Sequence, residues 1–135
     1  MHAPVKLVLS ILTLCMLLVA CRRSSPADSA LRQKIVGTWE MPRKDGASVG
    51  FTTFAANGNF VHKSTNRWAT GSKEFSYEGT WQLQDGILIF TYKKTSEPKY
   101  MPVGKVERCQ VIRAEDRDLV LLSPDNSTNI LRRIN

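Results

Sequence analysis

Cysteine and histidine are scarce in this chain: three cysteines, at 15, 21 and 109, and two histidines, at 2 and 62, among 135 residues. A zinc site needs three or four such ligands near one another, so a metal centre of that kind has no ligand set here, and no metal or cofactor is expected. The H-E-x-x-H, G-x-S-x-G and G-x-x-x-x-G-K-[ST] patterns are missing as well. With His62 the one candidate base beyond the N-terminal segment, triad hydrolysis and phosphate-loop chemistry have no foundation, and a non-catalytic protein is expected. No stretch after residue 36 has the length and 3.6-residue period of a helix, and no long run of single-sign charge appears. A helical bundle and a disordered chain are thereby excluded. With 42% hydrophobic residues the length fits one modest domain and rules out two packed ones. Nineteen Lys and Arg against twelve Asp and Glu give a net charge of +7. The positive residues are scattered instead of forming a stripe, so nucleic acid is not an expected partner.

What the chain does have begins at its front end. Lys6 precedes an almost wholly apolar run from Leu7 to Ala20, about as long as the apolar region of a secretory signal and far short of the ~20 residues that cross a bilayer. The run closes on Leu18-Val19-Ala20-Cys21. Charged start, short apolar run, aliphatic residue three before the cysteine and Ala directly before it together resemble the lipobox of bacterial lipoproteins. The resemblance implies cleavage after residue 20 and lipidation of Cys21, with the membrane as a partner through that residue. Arg22 in place of Asp after the cysteine resembles the enterobacterial pattern for the outer membrane. It implies attachment to the periplasmic face of that membrane in a cell that has one. Arg22 and Arg23 add roughly 1 kcal/mol each near an anionic surface. The acyl chains dominate, at about 0.8 kcal/mol per buried methylene.

The domain plan is therefore a signal over 1–20, a tether over 21–30 and one folded unit over 31–135. Cys15 leaves with the signal and Cys21 is consumed by lipid, so Cys109 has no partner for an internal disulfide. Its place in the strand-like run Val106 to Ile112 predicts a buried, inert thiol. Asp28 or Ser29 is placed to cap a single helical turn through Gln33, with Leu31 and Ile35 on one face. From Val36 onward, Val, Ile, Thr and aromatic stretches alternate with turn clusters, which predicts strands at 36–41, 48–54, 59–65, 75–83, 87–93, 104–114, 118–123 and 128–134. Asn57-Gly58 and Asp85-Gly86 are hairpin dipeptides, and Glu115 to Arg117 makes a charged reversal. Tyr77 to Gln84 alternates strictly, so one face is core and the other wet. Ile87 to Tyr92 and Leu119 to Leu122 are apolar on both faces, and a cover over their outer side is expected from the helical turn, a loop or a protein partner.

Gly-Thr-Trp occurs twice, at 37–39 and 79–81, and around the copies lie Phe54 to Phe60, Leu83 to Phe90, Asp118 to Leu121 and Ile130 to Arg133. This series resembles the small lipocalin-like domains of bacterial lipoproteins. It implies an all-β, antiparallel, up-and-down barrel of eight strands with a short N-terminal helical turn. The resemblance further implies that Gly37 and Trp39 lie at a closed end, that Arg132 or Arg133 covers the Trp39 indole, and that Gly79 belongs to the second copy of the motif. Gly37 is expected to admit a neighbouring backbone. The segment Val61 to Ser76 reads as a long connection at the barrel mouth, which makes His62, Arg67 and Trp68 candidates for closing over a ligand, with Tyr77 and Trp81 on the interior wall. Sequestration of a small apolar or amphipathic molecule is the leading expectation. The alternative is an envelope-protein interaction module with a filled core, making contact through the outer faces of strands 87–93 and 118–123.

Overall fold

A computed structural model describes residues 25–42 and 48–134, so the signal, Cys21 and Arg22 lie outside the described residues. One helix, α1 (Pro26–Ile35), is followed by β1 (Gly37–Pro42), β2 (Ser48–Phe54), β3 (Asn59–Trp68), β4 (Gly71–Gln84), β5 (Ile87–Thr95), β6 (Val106–Ala114), β7 (Asp118–Leu122) and β8 (Thr128–Arg133). Each strand pairs antiparallel with its neighbour in sequence, and β8 returns to β1, closing the barrel. Closure removes the free edges that an open sheet of this length would expose. The eight-stranded up-and-down architecture is the one the sequence predicts, and six of the eight strands match it to within two residues at each end.

The tight turns follow their chemistry. Asp85 and Gly86 both have positive φ, at 52° and 75°, which the two-residue reversal between β4 and β5 requires. In the 55–58 turn only Gly58 does, with its N–H donating to the Ala55 carbonyl at 3.0 Å and Asn57 Oδ1 accepting from the Asn59 N–H at 3.0 Å.

Two local expectations need correction. The helix starts inside the segment read as tether: Ser25 is the cap, its hydroxyl accepting from the Asp28 N–H at 3.1 Å, and Pro26 supplies a preset first-turn φ. Asp28 is free for another task. Its carboxylate accepts from the Asp85 and Gly86 N–H groups at 2.8 and 2.9 Å. Those bonds, Gly86's foremost, hold its pKa below the ordinary carboxylate value. Second, no long connection separates β3 from β4. Both strands run on to a reversal at Ala69-Thr70. Backbone pairing needs no apolar side chain, so a stretch polar on both faces continues as ladder beyond the barrel rim, and its composition reports exposure, not a loop.

One end of the barrel is sealed. The turns at 55–58, 85–86 and 115–117 gather there, and α1 lies across them. Arg32 Nη2 donates to the Ala56 carbonyl at 3.1 Å, and Asp28 holds the 85–86 turn. From the last strand, Arg133 donates from Nε to the Asp116 carbonyl at 2.8 Å and from Nη1 to Val36 at 3.0 Å, and Nη2 reaches the Lys34 carbonyl. Its guanidinium stacks 4.2 Å from the Trp39 ring, whose Nε1 donates to the Ile35 carbonyl at 2.8 Å. Arg133 is thus the residue over the indole. Arg132, one position out of phase, pairs across the sheet with Glu40 and Asp118 and is exposed. The second Gly-Thr-Trp repeats the device: Arg32 stacks 4.2 Å from Trp81, whose Nε1 donates to Ala55 at 3.0 Å. Ile35, Trp39, Phe54, Leu88 and Leu119 are the most deeply buried large side chains, and they sit at this end. Burial of Ile35 alone is worth about 1.5–3 kcal/mol.

The helix α1 packs chiefly against β4 and β6 and not against the outer apolar strands β5 and β7. Ile89 and Val120 are nonetheless buried. Their same-face neighbours by register are Gln82 and Arg108 for Ile89, and Arg113 and Ile130 for Val120. Long polar stems beside an apolar residue can shield it while their heads stay wet.

The two motif glycines differ in what they make room for. At Gly37, φ is +141° and a Cβ would collide with the Arg133 guanidinium, so a side chain, not a backbone, makes the close approach. At Gly79, where the β4–β5 register shifts, a Cβ would run into the Thr91 carbonyl oxygen and come within 2.9 Å of Phe60 Cε1. A backbone carbonyl in a closed ladder cannot swing away. Gly79→Ala should therefore lose about 3 kcal/mol or more, the upper end of overpacking costs, read as a lowered urea midpoint at unchanged slope; stability within 0.5 kcal/mol of the parent, roughly the range of a neutral surface change, would contradict this packing.

Candidate functional site

Above the packed end the interior opens into a cavity of about 270 Å³. Eight strands enclose a space that side chains can just fill, or that can hold one small ligand when they do not. Here the lower half is filled and the upper half is not. Phe54, Phe60, Phe90, Leu121 and Leu131 form the apolar part of the wall. Met41 from the end of β1 and Met101 from the β5–β6 connection line it toward the mouth. That connection turns on itself, with the Tyr100 and Met101 N–H groups donating to the Glu97 carbonyl at 3.0 and 2.9 Å.

Polar groups occupy the remaining wall. His62 Nδ1 lies 2.8 Å from the Thr52 hydroxyl, and its ring stacks on Tyr77 with centroids 5.7 Å apart and planes 16° from parallel. Gly50 leaves the slot this needs, since a Cβ there would sit 3.0 Å from His62 Cε1. Burial pushes the His62 pKa down, so the ring is neutral at pH 7. Tyr92 donates to Glu107 Oε2 at 2.6 Å, and Glu107 Oε1 meets Lys105 Nζ at 3.4 Å. Burial first, and the Glu107 bond and charge next, push the Tyr92 hydroxyl pKa up; Tyr77 moves up through burial and then the Glu97 charge. Asn129 Nδ2 donates to Ser123 Oγ at 2.8 Å, and Cys109 Sγ lies 3.9 Å from that oxygen. Burial raises the Cys109 pKa, so the thiol stays protonated, as its sequence position predicts. Among the described residues, the wall thus offers neutral hydrogen-bonding groups and one carboxylate.

Of the five ligand-contact candidates in the sequence, His62 and Tyr77 meet in this wall. Trp81 does not line it. It lies below the floor, edge-on to Phe54 at 5.4 Å and 71°, with Arg32 on its other side. Arg67 and Trp68 stand at the tip of the β3–β4 hairpin, and Trp68 is 52% exposed. Their sequence context predicts a mouth-closing loop; continuation of both strands carries them past the rim instead. Thr52, Tyr92, Glu107 and Met101 escaped sequence reasoning. One signal was present: Glu107 stands two residues before Cys109 and four before Val111, a carboxylate in phase with the core side of a strand. Met101 had none, because its position depends on how a non-repetitive connection folds back.

Comparison with family models and with curated protein sequences gives no match. Solved structures do match in shape. A lipocalin-like protein from Bacteroides uniformis ATCC 8492 superposes with a TM-score of 0.52 at 16% identity, over 75% of this chain and 99% of that one. The fold is lipocalin-like. An uncharacterized protein from Bacteroides eggerthii DSM 20697 superposes with a TM-score of 0.51 at 15% identity, over 74% of this chain and 99% of that one. At such identities the likeness speaks for the lipocalin-like architecture and leaves the chemistry of the cavity to its own residues.

His62 supplies a pH test. Because its folded pKa lies below the ordinary 6.5, the neutral ring's contribution is intact above that value. It is lost as pH falls through the unfolded pKa toward the folded one. The ring should titrate below 6.5 by NMR, and urea midpoints should fall between pH 7 and 5 with a slope that His62→Asn flattens. A ring titrating above 6.5 would contradict its burial.

Proposed function

We propose that this protein is a lipid-anchored, non-catalytic envelope protein that holds a small amphipathic molecule in the open half of its barrel. The observation that carries the reading is the cavity of about 270 Å³ above an aromatic floor, with hydrogen-bonding groups in its wall. Its volume stands just below the ~300–1,000 Å³ range of drug-sized ligand pockets, which suits a compact ligand and not a long acyl chain. A filled interior would have favoured the protein-interaction alternative. The lipocalin-like architecture supports binding in general, and the Leu18 to Cys21 sequence supports the anchor.

Mass spectrometry of small molecules released when the purified protein is unfolded tests the cargo. One amphipathic species at close to one per chain is expected, and Ser123→Phe, which projects a ring into the cavity, should abolish it without unfolding the barrel. Recovery of the same species from the Phe variant would count against the cavity as its site. Since no tryptophan lines the cavity, the Met41 and Met101 methyl resonances are the direct reporters of occupancy.

The anchor is tested at Cys21. The mature protein should begin at that residue and carry acyl mass, whereas Cys21→Ser should stay full length without it. Processing of the Ser variant at the same position would overturn the anchor.

A further inference from the structure

The proposed binding reading leaves open what the cavity selects, and its charges answer that. Among the described residues, no Lys or Arg lines the cavity. Lys105 is paired with Glu107, and Lys73 with Glu97. His62 is neutral at pH 7, as shown above. A carboxylate or phosphate brought inside would lose its hydration with no positive group among these lining residues to receive it, a cost of several kcal/mol for an ion. Among the described lining residues, the one formal charge is the Glu107 carboxylate. Tyr92 and Lys105 use part of its capacity, and a carboxylate accepts about four hydrogen bonds, so it can take another donor.

The aromatic rings around this carboxylate are arranged edge to face. Tyr92 meets Tyr77 at 5.9 Å and 90°, and Phe60 at 5.5 Å and 87°, and His62 stacks on the far side of Tyr77. Such an array turns electron-rich faces in several directions, which is how aromatic cages hold ammonium groups. We infer that the cavity selects a small primary amine on an apolar body, its ammonium paired with Glu107 among Tyr77, Tyr92 and Phe60 and its body against Phe54, Phe90 and Leu131. This rests on the cavity being a binding site and adds the chemical class of what it binds.

Three probes on one phenylethyl body separate the two claims: 2-phenylethylamine, 2-phenylethanol and 3-phenylpropanoate, titrated at pH 7 against the full acylated protein in zwitterionic nanodiscs. Calorimetry gives affinities, and the Met41 and Met101 methyl shifts report the site. The amine should bind about tenfold more tightly than the alcohol, the worth of one charge-assisted hydrogen bond, and the carboxylate should bind most weakly. Glu107→Gln should bring the amine down to the level of the alcohol while the alcohol is unchanged, which also certifies the fold of the variant. Lys105→Met should tighten the amine, because it removes the cation competing for Glu107. A carboxylate or alcohol binding as tightly as the amine, or an amine affinity indifferent to Glu107→Gln, overturns the amine inference and leaves the cavity reading standing. If none of the three moves either methyl resonance, both fall together.

Discussion

The guanidinium of Arg133 is the contact on which this barrel's asymmetry depends. Three donors of one planar group reach the carbonyls of Lys34, Val36 and Asp116, while its face covers Trp39. Two of those carbonyls belong to the end of α1 and its cap, where a helix leaves acceptors without intrahelical partners and where positive charge is favoured. A lysine could offer the charge but neither the fork nor the flat face. The arginine thus ties the last strand, the first strand and the helix into one seal, and Ile35 enters the barrel from below as a consequence.

Sealing one end decides how the interior is used. Phe54, Leu88 and Leu119 share one core with Trp39 and Ile35, and the second arginine and tryptophan, Arg32 and Trp81, stiffen the neighbouring turn at 55–58. Stability can then reside in the lower half. The upper half is released from the need for a dense apolar core, and it tolerates Thr52, His62, Glu107 and Ser123 on the inner wall. Every such group is hydrogen-bonded or open to the cavity: among the described residues, no buried side-chain nitrogen or oxygen lacks a partner. A wall of satisfied but still accessible polar groups over an aromatic floor is a binding surface in physical terms.

Much of this architecture could be read from residue order. Tyr77 to Gln84 announced its inner and outer faces by strict alternation, and Asp85-Gly86 fixed the hairpin that follows by the positive φ both residues adopt. The first Gly-Thr-Trp resembles a closed-end motif; Trp81 of the second reads as interior wall but lies at the sealed end as well, whereas the candidates His62 and Tyr77 do meet in the cavity wall. Other positions were misjudged for physical reasons. Arg67 and Trp68 read as a loop because their neighbours are polar on both faces, so no alternation marks the hairpin that pairs them with Ser72 and Gly71. Ser25-Pro26 carried a legible helix start that the nearer Asp28 obscured. The bond from Asp28 to the 85–86 turn spans 57 and 58 positions, so nothing local could reveal it.

Sequence by itself determined the strands, their order and their phase, because hairpin turns join neighbours and a period of two admits one buried face. It also chose tryptophan and arginine in motifs whose chemistry suits a sealed end. Tertiary structure decided which arginine reaches which indole, how far α1 plugs the barrel, and that Glu107, Tyr92 and His62 face one shared space. Those outcomes depend on the stagger between strands and on the depth of a helix seated across three turns. Distances of that kind are set by the packing of the whole barrel and not by any stretch of chain alone.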